Sequence, residues 1–149
     1  LEITGGMLTK LNGKGGMEFE VFEPSEALAG EEVLSLEEKF LAGQGQNITP
    51  ARFAKEGVEY NRIASIVKSD LERVARILNV SGYCRIDAFV RIFDDGRVET
   101  IIIEVNSLPG MTPATVIFHQ AAINLYKPFD FIDKILEFSL EKQRINSAN

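Results

Sequence analysis

Two runs of apolar and β-branched residues, roughly 83–93 and 97–106, flank Asp94-Asp95-Gly96-Arg97, and Asp-Gly is a preferred pair for a tight hairpin turn. With Asp95 and Gly96 at the centre of a two-residue turn, Asp94 faces Arg97, and counting outward sets Asp87 opposite Glu104 and Arg85 opposite Asn106. Period-two alternation then gathers these four polar side chains on one face of the hairpin. Directly opposed residues have Cβ atoms about 4.5–5.5 Å apart, so a facing pair of carboxylates destabilises the hairpin unless something offsets the repulsion. A divalent cation does so, and Asp87, Glu104 and the Asn106 amide form an oxygen donor set suited to Mg²⁺, with Glu104 placed to bridge two ions. The competing reading is an ion-pair cluster in which Arg85 neutralises both carboxylates. Pairing alone does not separate the two. On the opposite face, Ile86, Ala88, Val90, Ile101, Ile103 and Val105 are expected to form an apolar layer that holds the polar constellation rigid.

Downstream, Leu108-Pro109-Gly110-Met111-Thr112 turns the chain from strand into helix, leaving N–H groups at a positive dipole end beside Gly110 and the Thr115 hydroxyl. An anion such as a substrate carboxylate suits that place, although Thr112 and Thr115 also serve as plain capping residues. Lys39 lies in a long aperiodic stretch from Ala29 to Pro50, where a cation on a loop could close over phosphate or simply be solvated. His119, the single histidine, falls within a helix and reads as a core-edge or surface residue rather than a base.

The elements that position these groups follow from periodicity. Residues 2–9 and 17–23 read as strands joined by Leu11-Asn12-Gly13-Lys14-Gly15-Gly16, a glycine-rich turn that leads into a strand rather than opening a phosphate-binding helix. Thr49-Pro50 predicts a short helix through Lys55 ended by Gly57. Ile63, Ile66, Val67, Leu71, Val74, Ala75 and Leu78 mark an amphipathic helix. Thr112-Pro113 is expected to start another, bearing Val116, Ile117, Ala121 and Leu125 on its apolar side. A last helix from Pro128 is expected to bury Ile132, Ile135, Leu136 and Leu140, with a polar tail from Arg144. The fold class is α+β, a largely antiparallel sheet with helices packed against one face.

Composition narrows the function. At 149 residues the chain is one domain or part of one, and 45% apolar with 26% charged residues is a globular mixture. Sixteen Lys and Arg against 22 Asp and Glu give a net charge of −6, which argues against nucleic acid as a partner. One cysteine, Cys84, makes no internal disulfide and fits a cytoplasmic location. No apolar run reaches the roughly 20 residues of a membrane helix, so no membrane association is expected. The opening Leu1-Glu2-Ile3-Thr4 carries neither a targeting pattern nor an initiator Met, as though the chain were part of a longer protein.

Gly82-Tyr83-Cys84-Arg85-Ile86-Asp87, followed by Glu104-Val105-Asn106-Ser107-Leu108-Pro109-Gly110-Met111-Thr112, resembles the C-terminal part of the D-alanine-D-alanine ligases of the ATP-grasp superfamily. Glu37-Glu38-Lys39-Phe40 with Thr49-Pro50-Ala51 resembles that family's omega loop, here spanning 29–50, and Glu2-Ile3-Thr4 resembles the strand opening this half of the ATP-grasp. The resemblance covers nearly all of residues 1–149 and implies the C-terminal half of an ATP-grasp domain from a cytoplasmic enzyme of cell-wall synthesis. It implies ATP and two Mg²⁺ or Mn²⁺ ions as cofactors, with Asp87, Glu104 and Asn106 holding the metal. Arg85 would steady the transferring phosphate, Lys39 would close over the γ-phosphate, Glu2 would face the nucleotide or first substrate, Glu104 would stand beside the ATP phosphates and Ile103 would pack under the adenine. Gly110 and Thr115 would bind the second substrate's carboxylate, Thr standing where many members have Ser. Lys39-Phe40 stands where many dipeptide-forming members have Lys-Tyr, and Leu36 where a tyrosine is often found, which leaves the acceptor open among D-alanine, D-lactate and other amino acids. The implied partners are ATP, D-alanine and the N-terminal half of the same protein, and the family admits a homodimer of the parent. Without that half the chain is expected to be inactive as a ligase. A binding module that keeps the fold without chemistry is the alternative of a different class.

Overall fold

Glu2–Leu11 forms strand β1 and Met17–Val21 forms β2, an antiparallel pair in register Met7↔Val21 to Leu11↔Met17, as the glycine-rich turn between them predicts. The turn closes where Asn12 N donates to Gly16 O and Gly16 N donates back to Asn12 Oδ1. The structure, a computed structural model, describes residues 1–13, 16–28, 47–112 and 115–147. Most of the 29–50 loop, with Leu36, Glu37, Glu38, Lys39 and Phe40, lies outside the described residues, as do Lys14, Gly15 and Pro113. The end of that stretch is not loop: Asn47–Ile48 forms β4 and pairs with β3 (Ser25–Ala27).

Val58–Ile77 forms helix α1, Tyr83–Ile92 and Val98–Asn106 form β5 and β6, and Val116–Ile123 and Pro128–Ser147 form α2 and α3. Among the described residues six strands make one antiparallel sheet in the order β4-β3-β1-β5-β6, with β2 beside β1 farther along the edge that β3 occupies. Adjacent residues of a strand point to opposite faces, and here both faces are covered. On one, Ile3, Met7, Cys84, Ile86 and Ala88 pack with Ile63, Ala64, Val67, Leu71 and Ala75 of α1. On the other, Leu8 and Phe22 pack with Ile117, Phe118, Ala121 and Phe131 of α2 and α3. The expectation of helices on a single face is thereby corrected. Cys84 is the small buried strand residue expected, and burial pushes its thiol up to about 12, leaving it inert at neutral pH.

α1 has the composition its dipole favours, with Glu59 in the first turn and Arg76 in the last. It stops where Asn79 takes φ 54°, with Asn79 N donating to Arg76 O and Val80 N to Ala75 O, the paired bonds of a Schellman end. The short helix expected over 50–55 is absent. There the backbone donors turn to the sheet, Ala51 N to Pro24 O and Arg52 N to Glu26 Oε2, and Gly57 caps the start of α1 instead of ending a helix.

Leu78 follows the last turn of α1 and is exposed, so it is no part of that helix's buried stripe. Two further helix expectations shift. α2 begins after Thr115, not Thr112, and ends in a second Schellman turn whose left-handed residue is Leu125, at φ 69° and 92% exposed, so Leu125 is no part of its apolar side. A side chain at that backbone conformation is strained, and Leu125→Gly is expected to stabilise the fold by about 1 kcal/mol, read as a higher urea midpoint. A lower midpoint would contradict the strain. α3 buries Phe131 and Phe138, with Ile135 partly covered, whereas Ile132, Leu136 and Leu140 are exposed, and the helix runs through the expected tail to Ser147.

Glu26 on β3 is buried, and its carboxylate accepts from Arg52 Nε at 2.9 Å and Arg52 Nη2 at 2.8 Å. Those hydrogen bonds hold its pKa below the ordinary carboxylate value, against the opposing effect of burial. The stabilisation is full above the unfolded-state pKa near ~4.3 and is lost as pH falls through the lower folded value. Between pH 5 and 3 the melting temperature of the wild type is therefore expected to fall more steeply than that of Glu26→Gln. Parallel curves would remove Glu26 from the acid response.

Candidate active site

The site face of the hairpin is set by a register that departs from the simple count. Phe93 N donates to Arg97 O and Gly96 N to Phe93 O, so the turn has three central residues, Asp94, Asp95 and Gly96, with Gly96 at φ 83°. From there Ile92 pairs with Val98 and Ala88 with Ile102, one residue off the expected pairing. A β-bulge between Asp87 and Ala88 leaves Ile103 unpaired and restores the count, so Asp87 does face Glu104 and Arg85 does face Asn106. The expected pairs are present, but the apolar layer beneath them is different. Ile102, opposite buried Ala88, packs into the α1 core, and Thr100, opposite buried Val90, has its hydroxyl buried without a partner. Ile101 (38% exposed) and Ile103 (46%) belong to the open surface instead, with Phe89 opposite Ile101.

Asp87 is the hub of the cluster. Its Oδ1 accepts from Thr4 Oγ1 at 2.5 Å and from Arg85 Nε at 3.2 Å, and its Oδ2 accepts from Arg85 Nη2 at 3.1 Å and Asn106 Nδ2 at 3.4 Å. Asn106 Nδ2 also donates to Glu104 Oε1 at 2.9 Å. Glu104 is exposed and Asp87 is 18% exposed in its side chain, so one carboxylate is held and the other is open to ligands. The donor set, two carboxylates and an amide whose oxygen is available by rotation of the side chain, has the hard-oxygen chemistry of a Mg²⁺ site completed by water and phosphate. Among the described residues no group of three or more His, Cys, Asp and Glu side chains converges, so those further ligands would have to come from elsewhere.

Glu2, opposite Phe89 on β1, lines a cavity of about 170 Å³ with Thr4, Arg85, Asp87 and Val116. The start of α2 thus borders the carboxylate cluster. Thr115 occupies the N-cap position of α2 without a side-chain capping bond; its hydroxyl instead donates back to Thr112 O at 2.8 Å, so the capping role expected of it is not the one it plays. A Cβ on Gly110 would lie 3.7 Å from Thr115 Cγ2, so these two residues are neighbours as expected. His119 is exposed on α2. Arg85, Asp87, Glu104, Asn106 and Glu2 are therefore brought together, Gly110 and Thr115 sit at the adjoining helix start, and Lys39 lies outside the described residues.

Thr4 and Gln120 escaped the sequence reading. Thr4 donates to Asp87, and the fully buried Gln120 reaches from α2 to the backbone of β1. The available signal was Gly5-Gly6 inside a strand, which marks close approach by another group.

Among the described residues no helix is long and apolar enough to cross a membrane. A family model described as the D-ala D-ala ligase C-terminus matches residues 5–137. The chain is 29% identical over 130 residues to a D-alanine–D-alanine ligase of Caldicellulosiruptor bescii, covering 87% of this chain and 33% of that protein. It is 31% identical over 139 residues to one from Leptospira biflexa, covering 93% and 36%. It thus spans about a third of the length of the curated relatives it matches. A crystal structure of the Bacillus anthracis D-alanine–D-alanine ligase complexed with ATP superposes with a TM-score of 0.62 at 21% identity, covering 97% of this chain and 40% of that one, which establishes the shared ATP-grasp fold. With a family model for the D-ala D-ala ligase C-terminus running from within β1 into α3 across both carboxylate-bearing strands, this chain belongs to the D-alanine–D-alanine ligase family.

Proposed function

We propose that this chain supplies the metal-, phosphate- and acceptor-binding half of an ATP-dependent carboxylate–amine ligase that joins two D-alanine molecules for peptidoglycan precursors. The observation that supports it most is the opposition of Asp87 and Glu104 beside Arg85 at a cavity bordered by the start of α2. In this reading the γ-phosphoryl group of ATP passes to a D-alanine carboxylate oxygen, giving an acyl phosphate and ADP. The amine of a second D-alanine then attacks the acyl carbon, phosphate departs with the carbon–oxygen electron pair, and the amine loses a proton. Asp87, Glu104 and Asn106 would hold Mg²⁺, which supplies charge neutralisation for phosphoryl transfer when bound. Arg85 would exchange its contact with Asp87 for the transferring phosphate, and Lys39 would add a second cation over it. Glu2 would face the nucleotide or first-substrate side, Ile103 would pack under the adenine, and Gly110 with Thr115 would receive the acceptor carboxylate.

The test is phosphate release by the full-length polypeptide with ATP, Mg²⁺ and a panel of D-alanine, D-lactate and L-amino acids. Turnover with D-alanine as both substrates supports the reading. A strong preference for D-lactate would replace the amine acceptor and give weight to Phe40, and no turnover with the panel would overturn the reading. The Arg85–Asp87 ion pair gives a second reading, a module without chemistry, under which Asp87→Asn lowers stability in metal-free buffer and leaves Mn²⁺ affinity unchanged.

A further inference from the structure

β1 is bordered on one edge by β3 at Ile3–Thr4 and by β2 from Met7 onward, which leaves Gly5 between two partners. The side chain of Gln120 fills that gap as a neighbouring peptide would. Its Oε1 accepts from Gly6 N at 2.9 Å, and its Nε2 donates to Thr4 O at 2.7 Å and to Ser25 Oγ at 3.0 Å. Gln120 is fully buried, and every polar atom of its amide is engaged. The approach requires glycine on the strand: a Cβ at Gly6 would overlap Gln120 Oε1 and stand 3.0 Å from Ile117 Cγ1. The residue whose carbonyl Gln120 grips is the residue whose hydroxyl grips Asp87. Four residues before Gln120, at the start of the same helix, lies Val116, which lines the cavity beside Asp87.

We propose that Gln120 is a positioning residue for the carboxylate site. By fixing Thr4 from the α2 side it holds the Thr4 hydroxyl on Asp87 Oδ1, and the same amide sets how far α2 stands from β1, and so where Val116 at its start borders the cluster. The proposal rests on the reading that Asp87 ligates a cation, and partners outside the ligand set commonly shift metal affinity by 10–100-fold. A merely structural Gln120 would change the melting temperature and nothing else.

The measurement is Mn²⁺ affinity of the full-length polypeptide by electron paramagnetic resonance, at a fixed concentration of a non-hydrolysable ATP analogue and well below each variant's melting temperature. Thr4→Val is expected to weaken Mn²⁺ binding about 10-fold, and Gln120→Met about 3- to 10-fold. The double variant is expected to bind no more weakly than Thr4→Val alone, because Gln120 acts through Thr4. Wild-type affinity in a folded Gln120→Met, or additive losses in the double variant, overturns the proposal while leaving the metal site standing. Absence of Mn²⁺ binding in the wild type overturns the ligase reading and this inference with it. Should Gln120→Met fail to fold, Gly6→Ala, which pushes the amide off the strand from the other side, carries the same expectation.

Discussion

Asp87→Asn in the full-length polypeptide is expected to cut phosphate release about 100-fold or more while leaving the chain folded. Asn keeps the size of Asp87 and an oxygen that accepts the Thr4 hydroxyl, while its amide nitrogen gives up the bonds that Asp87 Oδ2 accepts from Arg85 Nη2 and Asn106 Nδ2. What disappears is the charge, and with it both the partner of Arg85 and one of two opposed carboxylates. Losing one fixed electrostatic contact to a developing phosphoryl charge typically costs 10²–10³ in rate, and losing a metal ligand acts on the same charge. The sign on stability is informative too. Removing one of two facing carboxylates relieves repulsion with Glu104, whereas Arg85 loses its counter-ion, and these oppose each other. Steady-state rates and a melting curve on the same preparation check both. Activity within tenfold of wild type would take Asp87 out of the reacting centre.

Phe131→Ala is expected to be the most damaging of the core truncations, by about 3–5 kcal/mol in urea unfolding. Phe131 is fully buried and sits at the centre of an aromatic group. Its ring lies 5.8 Å from Phe22, 5.6 Å from Phe118 and 6.4 Å from Tyr83, all edge to face. It therefore ties α3 to α2, to β5 and to the segment after β2 at once. Set against the 5–15 kcal/mol that stabilises a typical domain, the loss would leave little margin. Because this cluster lies on the sheet face that carries the carboxylates, partial loosening is expected to release α2 first and, under the proposed role of Gly110 and Thr115, to lower acceptor affinity at temperatures where the rest remains folded. A loss below 1 kcal/mol would mean that the site collapses around the cavity.

The two variants also show what a sequence can and cannot reveal. The strands, the antiparallel hairpins, α1 with its buried stripe and the Asp87–Glu104 pairing were legible because alternation and the three-to-four period survive in the residue types. The turn and the bulge were not. Thr100-Ile101-Ile102-Ile103 is β-branched throughout, so alternation carries no phase there, and the count was right only because a longer turn and an extra strand residue compensate. α3 failed for a related reason. Its apolar residues form two stripes, Phe131–Ile135–Phe138 and Ile132–Leu136–Leu140, and tertiary packing chose the first. The 49–56 segment was lost to hydrogen bonds made with β3 and its neighbours, partners that lie more than 20 residues away. Thr4 escaped notice because it acts through a single contact across the sheet, 83 residues distant.

The bulge at Ile103 makes the length of β6 negotiable at one point. Elsewhere in the strand, losing a residue would turn the core face outward, since a one-residue slip exchanges the two faces. Deleting Ile103 alone would instead join the Ala88↔Ile102 and Asp87↔Glu104 registers into one unbroken ladder, with Ile102 still inward and Glu104 still outward. A lineage carrying this hairpin can thus gain or shed one apolar side chain beside its carboxylates by insertion or deletion without redesigning the core or the carboxylate pairing, the residue exchanged being the one proposed to lie against the base.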